Sequence, residues 1–257
     1  MTAWQRDGWD ARTRIGVLVP HGDVGPESEL QAMAPAGVVI HAARVPFGAM
    51  APGGSMDPTI PLAPVRAFSE PPHLDEAAEL LAAAPIHAIA YGFTSSAYVI
   101  GSDGEAAMIA RLERRTRGIP VVAPCAASLA ALVALGASRI ALMTPPWFDE
   151  ELTGLGRRYY EDAGHEVVLA EACGLPSDQT AIRPEDQLAW ALANVPDAAD
   201  VLVIGGNGFR AVGAIEALEA GLGRPVVTAN QVLLRAALTA AGADPAQVTG
   251  YGRLFSA

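Results

Sequence analysis

The chain has 257 residues, 51% of them hydrophobic and 18% charged, which fits one large or two small α/β domains and excludes a disordered chain. All 17 of its basic residues are arginine, so Schiff-base chemistry, a pyridoxal-phosphate anchor and a P-loop lysine are excluded whatever the fold. Against 28 acidic residues this leaves a net charge of −11, which disfavours nucleic acid and anionic membrane surfaces as partners.

The opening MTAWQRDGWDARTR has no apolar run of the kind a secretory leader or anchor needs, and the apolar stretch 119–137 is broken by Pro120 and Pro124. A cytoplasmic setting is therefore expected, and homo-oligomerisation is left open. Two cysteines are too few for a disulfide scaffold, and the five histidines show no metal-binding spacing, so no metal is expected.

The first strand is expected at 15–20 (IGVLVP), and it runs into His21-Gly22-Asp23-Val24-Gly25-Pro26-Glu27. An imidazole beside carboxylates at a strand end suits general acid/base work, which makes His21 and Asp23 candidate catalytic residues. The plainer alternative is that Asp23 and Glu27 open a helix. A second strand is expected at 38–45, followed by 48–72, rich in proline and glycine and without period. That stretch is expected to be either a lid or an ordinary surface excursion.

Strand 86–92 (IHAIAYG) ends in Gly92-Phe93-Thr94-Ser95-Ser96, whose hydroxyls and free N–H groups can meet a carboxylate or oxyanion. Strand 119–124 leads to Cys125 at the start of a helix, where a lowered thiol pKa would make a nucleophile or proton donor. A small buried filler is the alternative. Strands 139–145, 165–172 and 200–206 follow. The last opens Gly205-Gly206-Asn207-Gly208-Phe209-Arg210, where glycines let a ligand approach the backbone and Arg210 stands nearby. Its spacing is not GxGxxG and no acidic residue follows to hold a ribose, so neither nicotinamide nor flavin is expected. The last strand is at 224–229. His41, His73, His87 and His165 lack visible partners and read as structural.

These motifs occur twice in the same order. Residues 15–30 match 140–155, 88–99 match 201–212, and 118–137 match 223–243. Two pseudo-equivalent lobes follow, each a parallel sheet flanked by helices, with strand ends facing one cleft.

Taken together, IGVLVP, the Thr94-Ser95 pair after AIAYG, the IPVV strand, ALVALGASRIALMTP, the glycine-rich loop after VLVI and the ending GYGRLF resemble the arylmalonate decarboxylase and maleate cis-trans isomerase branch of the aspartate/glutamate racemase superfamily. The resemblance implies two pseudo-symmetric Rossmann-like lobes, 14–118 plus 228–257 and 119–227, with the active site between them. It also implies a cofactor-independent lyase or isomerase acting on a small carboxylate or dicarboxylate through an enediolate-like anion. Thr94, Ser95, Ser96, Gly206, Asn207, Gly208 and Arg210 would then bind substrate. Phe93 and Gly206 stand where the family's two cysteines would be, and Pro145-Pro146-Trp147 replaces the expected aromatic acid-binding residue. The proton must therefore come from His21, Asp23 or Cys125. A carboxylate-binding protein without catalysis, or an enzyme using Cys125 as nucleophile, are the competing expectations.

Overall fold

The computed structural model describes residues 7–51 and 53–257, so the first six residues of the opening segment and Pro52 lie outside it. The first sheet is fully parallel, in the order β2 (Val38–Val45), β1 (Thr13–Pro20), β3 (Ala88–Tyr91), β4 (Val121–Val122). The second repeats that order with β6 (Glu166–Ala172), β5 (Arg139–Thr144), β7 (Val201–Ile204) and β8 (Val226–Thr228). All eight strands fall inside the expected segments or within two residues of them. The central strands are buried along almost their whole length, whereas edge strands β2 and β6 are only partly buried. Continuous apolar runs form such strands because helices cover both faces of a parallel sheet.

Helices alternate with the strands: α1 (Gly25–Met33), α2 (Leu62–Phe68), α3 (His73–Leu81), α4 (Thr94–Arg115, kinked at Gly101), α5 (Pro124–Ala134), α6 (Glu150–Asp162), α7 (Pro184–Asn194), α8 (Ile215–Leu222) and α9 (Ala229–Ala240). Asp149 caps α6 by accepting from Leu152 N–H, and Thr228 with Gln231 forms a capping box on α9. Helix α2 lies inside the stretch expected to have no helix.

The lobe boundary expected at residue 119 needs correction. Strand β4 hydrogen-bonds to β3 and belongs to the first sheet, so the chain leaves that sheet only after Val122. Helices then cross over. α5 reaches β8, while α9 packs on β3, β4 and α1 and against α5. α4 packs on α6 and closes the junction elsewhere, so one core runs through both lobes.

Candidate active site

Four strand ends converge on one cavity. The loops after β1, β3, β5 and β7 contribute Asp23, then Phe93, Thr94 and Ser95, then Trp147 and Phe148, then Gly206, Asn207 and Gly208. This is where a parallel α/β sheet presents its ligand-facing loops. The cavity holds about 330 Å³ of non-atom space, the part open to solvent included. Its remaining walls are Pro20, Phe47, Met50, Met56, Ile60 and Gln179. No lining residue is basic, and Asp23 is the single ionisable one.

Three of these wall residues come from 48–60, which straps the cleft. Ile60 N–H donates to Trp147 O at 3.0 Å and Ser177 Oγ to Pro58 O at 3.1 Å, so a first-lobe loop is tied to the second lobe.

Asp23 is buried, 3% exposed, and turned inward by Gly25 N–H, which donates to Oδ1 at 2.8 Å. Burial raises its pKa to about 6, against the lowering influence of that N–H, the neighbouring Gln179 amide and the Arg44 charge. Gln179 lies alongside Asp23 without a well-formed hydrogen bond, and its Nε2 is buried with no partner. Arg44 bonds the Asp23 main-chain oxygen and pairs with Glu27 at the half-exposed rim, so Glu27 stays out of the cavity.

The Gly206–Gly208 turn admits only glycine at Gly206, and at Gly208 a side chain would have to displace its neighbours. Gly206 has φ +88°, and a Cβ there would meet Pro145 Cγ at 2.3 Å. A Cβ on Gly208 would meet Gln179 Nε2 at 2.2 Å and Asp23 Oδ2 at 2.6 Å. Such close approach of backbone to cavity is what glycine permits. Among the described residues, the N–H groups of Asn207 and Gly208 and the Ser95 hydroxyl have no hydrogen-bond partner.

Thr94 is differently placed. Its hydroxyl donates to Asn207 Oδ1 at 2.6 Å, Asn207 Nδ2 donates to Asn230 Oδ1 at 2.7 Å, and Asn230 Nδ2 donates to Glu29 Oε2 at 2.7 Å. Glu29 Oε1 also accepts from Ala211 and Val212 N–H at 2.6 and 3.0 Å. Burial raises the Glu29 pKa to about 7 despite these donors.

The remaining sequence candidates stand elsewhere. His21 is exposed and outside the lining, with Nδ1 accepting from Phe47 N–H at 3.1 Å, because the turn that directs Asp23 inward directs His21 out. Ser96 is fully buried behind the wall, bonded to Tyr91 Oη at 2.8 Å and Phe93 O at 3.2 Å. Arg210 is exposed on a neighbouring groove lined by Val24, Tyr251 and Val212. Cys125 is 1% exposed and its thiol pKa is pushed up by burial and then by the Glu105 carboxylate, the reverse of the shift expected from its helix position. Glu105 accepts from Ala126 N–H at the start of α5, so a negative charge sits where the helix end alone would favour the thiolate.

The internal repeat explains Cys125. It is the counterpart of Asn230, and Thr94 the counterpart of Asn207. Cys125 Sγ lies 3.6 Å from Thr94 O, as Asn230 Nδ2 lies 2.8 Å from Asn207 O. Both side chains brace the backbone of the preceding strand-end loop. Cys173 is also buried and does not line the cavity.

Sequence reasoning missed Glu29, Asn230 and Gln179. Glu29 was detectable on the buried stripe 26, 29, 30, 33 of α1, and Asn230 as one of two adjacent amides, with Gln231, inside an otherwise apolar run. Among the described residues no group of three or more His, Cys, Asp or Glu could hold a metal ion, and no helix is long and apolar enough to cross a membrane.

No curated protein matches the sequence. Among solved structures, a maleate isomerase variant from Pseudomonas putida, determined with maleate, is 23% identical, with 95% of this chain and 97% of that chain covered and a TM-score of 0.82. A Nocardia farcinica maleate cis-trans isomerase variant with a covalently bound succinylcysteine intermediate is 25% identical over 95% and 98%, with a TM-score of 0.80. A liganded double mutant of arylmalonate decarboxylase is 20% identical over 95% and 98%, with a TM-score of 0.79. These neighbours share the two-sheet α/β fold. The family model for arylmalonate decarboxylase matches residues 72–255, most of the chain. On that match the protein belongs to the arylmalonate decarboxylase family.

Proposed function

We propose that the protein is a cofactor-independent lyase for a small malonate-type carboxylate, with Asp23 moving the proton in place of a thiol. The carboxylate that stays is held by the Ser95 hydroxyl and the N–H groups of Asn207 and Gly208, donors that strengthen as the anion develops. The carboxylate that leaves is placed against Phe47, Phe93, Trp147 and Phe148, where it loses its water. The carbon–carbon bond breaks, carbon dioxide departs, and the electron pair remains as an enediolate. Protonated Asp23 then gives its proton to the carbon and regains one from water.

One observation carries this: the single ionisable group of the lining, Asp23, is buried beside the donor-bearing Gly206–Gly208 turn with a raised pKa. An arriving carboxylate raises that pKa further, so the residue meets the substrate protonated. The repeat adds an asymmetry in support, since the counterpart of Asp23 is the apolar Phe148. Covalent addition to a double bond would need a thiol in the lining, and neither cysteine is there.

Phenylmalonate and malonate are suitable probes, with carbon dioxide release and deuterium incorporation as readouts. Asp23→Asn is expected to lose about two to four decades of turnover while still binding malonate. Unchanged turnover in Asp23→Asn would overturn the proposal. Binding by the unmodified chain without release or exchange would favour a carboxylate-binding protein of the same fold.

A further inference from the structure

From behind the cavity to its wall, Glu29, Asn230, Asn207 and Thr94 form a buried chain joining both lobes, and its direction can be read unambiguously. One amide atom of Asn230 lies 2.8 Å from the Asn207 main-chain oxygen and 2.7 Å from Glu29 Oε2. A main-chain carbonyl can only accept, so that atom is Nδ2 whatever the charge on Glu29. Asn230 Oδ1 must then accept from Asn207 Nδ2, and Asn207 Oδ1, 2.6 Å from Thr94 Oγ1, must accept the hydroxyl hydrogen. Thr94 is left with lone pairs alone to offer a ligand.

Ser95, the next residue, has an unengaged hydroxyl able to donate. Both residues line the cavity, so its wall presents an acceptor and a donor. A carboxylate satisfies the donor, and only a group with its own hydrogen satisfies the acceptor. Neighbouring residues of the turn call for neighbouring groups of the ligand. A hydroxyl suits the cavity better than an ammonium, because apolar walls make a second buried charge costly.

We infer that the site selects carboxylates bearing a hydroxyl on the adjacent carbon, with Thr94 accepting from that hydroxyl and Asn230 and Glu29 acting as positioning residues that hold Thr94 in this role. The inference rests on the carboxylate-binding reading above and narrows its substrate class to 2-hydroxy acids.

Malonate and tartronate, which differ by one hydroxyl, test it by calorimetry on the full chain. Tartronate is expected to bind about tenfold more tightly, the usual worth of one matched hydrogen bond. Thr94→Val should bring the two affinities within about twofold of each other, Thr94→Ser should keep the preference, and Ser95→Ala should weaken both acids alike. Asn230→Ala, which frees the Asn207 amide to turn, should also reduce the preference, and it provides the same test if Thr94→Val does not fold. Melting curves establish that each variant is folded. Equal binding of the two acids by the unmodified chain, or a preference that survives both Thr94→Val and Asn230→Ala, would overturn the inference and leave carboxylate binding intact. Failure of both acids to bind would bring down the carboxylate reading as well.

Discussion

The resemblance drawn from the sequence would put a cysteine where this chain has Gly206, and introducing one is the most direct test of the site's geometry. At φ +88° an L residue is strained by roughly 1 kcal/mol. The new Cβ would also fall 2.3 Å from Pro145 Cγ and 3.1 Å from Cδ, and a proline ring cannot swing aside as a flexible side chain would. Forcing the two loops apart adds about 1–3 kcal/mol. A total of about 2–4 kcal/mol corresponds to a melting temperature lowered by roughly 5–15 °C in a chain of this size. Gly154 on α6 is the control, since a Cβ there meets nothing within 4 Å and a helical glycine gains stability on replacement. Thermal unfolding followed by circular dichroism compares Gly206→Cys, Gly206→Ala and Gly154→Ala. A Gly206→Cys protein melting within about 2 °C of the parent would refute the claim that this backbone excludes a side chain.

The buried carboxyls set a pH dependence with a definite sign. The pKa of Glu29 rises on folding from 4.5 to about 7 and that of Asp23 from 3.8 to about 6, so the folded chain holds protons that the unfolded chain releases. Their stabilising contribution is complete below about pH 4 and is lost as pH rises through about 7, and the difference between wild type and Glu29→Gln in urea melts should shift by up to about 3 kcal/mol across that interval. A difference that stays flat would mean that Glu29 does not retain its proton in the folded state. If Asp23 acts as the acid, kcat/KM with phenylmalonate should decline above about pH 6, and Asp23→Asn should abolish that limb. Cys125→Ala is expected to leave turnover unchanged, and native protein should resist iodoacetamide; stoichiometric inactivation prevented by malonate would restore the nucleophile reading.

The strands were legible because each is a short apolar run bounded by turn residues, and the duplicated motif order made a shared cleft foreseeable. What escaped depends on direction and long-range contact. His21 and Asp23 are two residues apart, and only the Gly25 N–H on one and the Phe47 N–H on the other decide which faces the cavity. At Cys125 the helix effect was given the correct sign and the wrong weight, since burial and Glu105 outweigh it. Helix α2 was hidden by Pro61 and Pro64, yet its cap and first turn tolerate proline because no intrahelical N–H bond is required there. The strap 48–60 has no period because its partners, Trp147 and the 177 loop, lie in the other lobe. Strand β4 fell across the expected boundary because two residues of pairing give no signal of which sheet they join.

The exchange of α5 and α9 between sheets bears on biosynthesis. The helix that covers β3 and β4 begins only at Ala229, so the amino-terminal half must wait with an apolar sheet face uncovered until residue 240 has emerged. Cutting the gene at the repeat junction would accordingly yield two fragments, each missing its own lid of helix, that gain stability only by meeting each other.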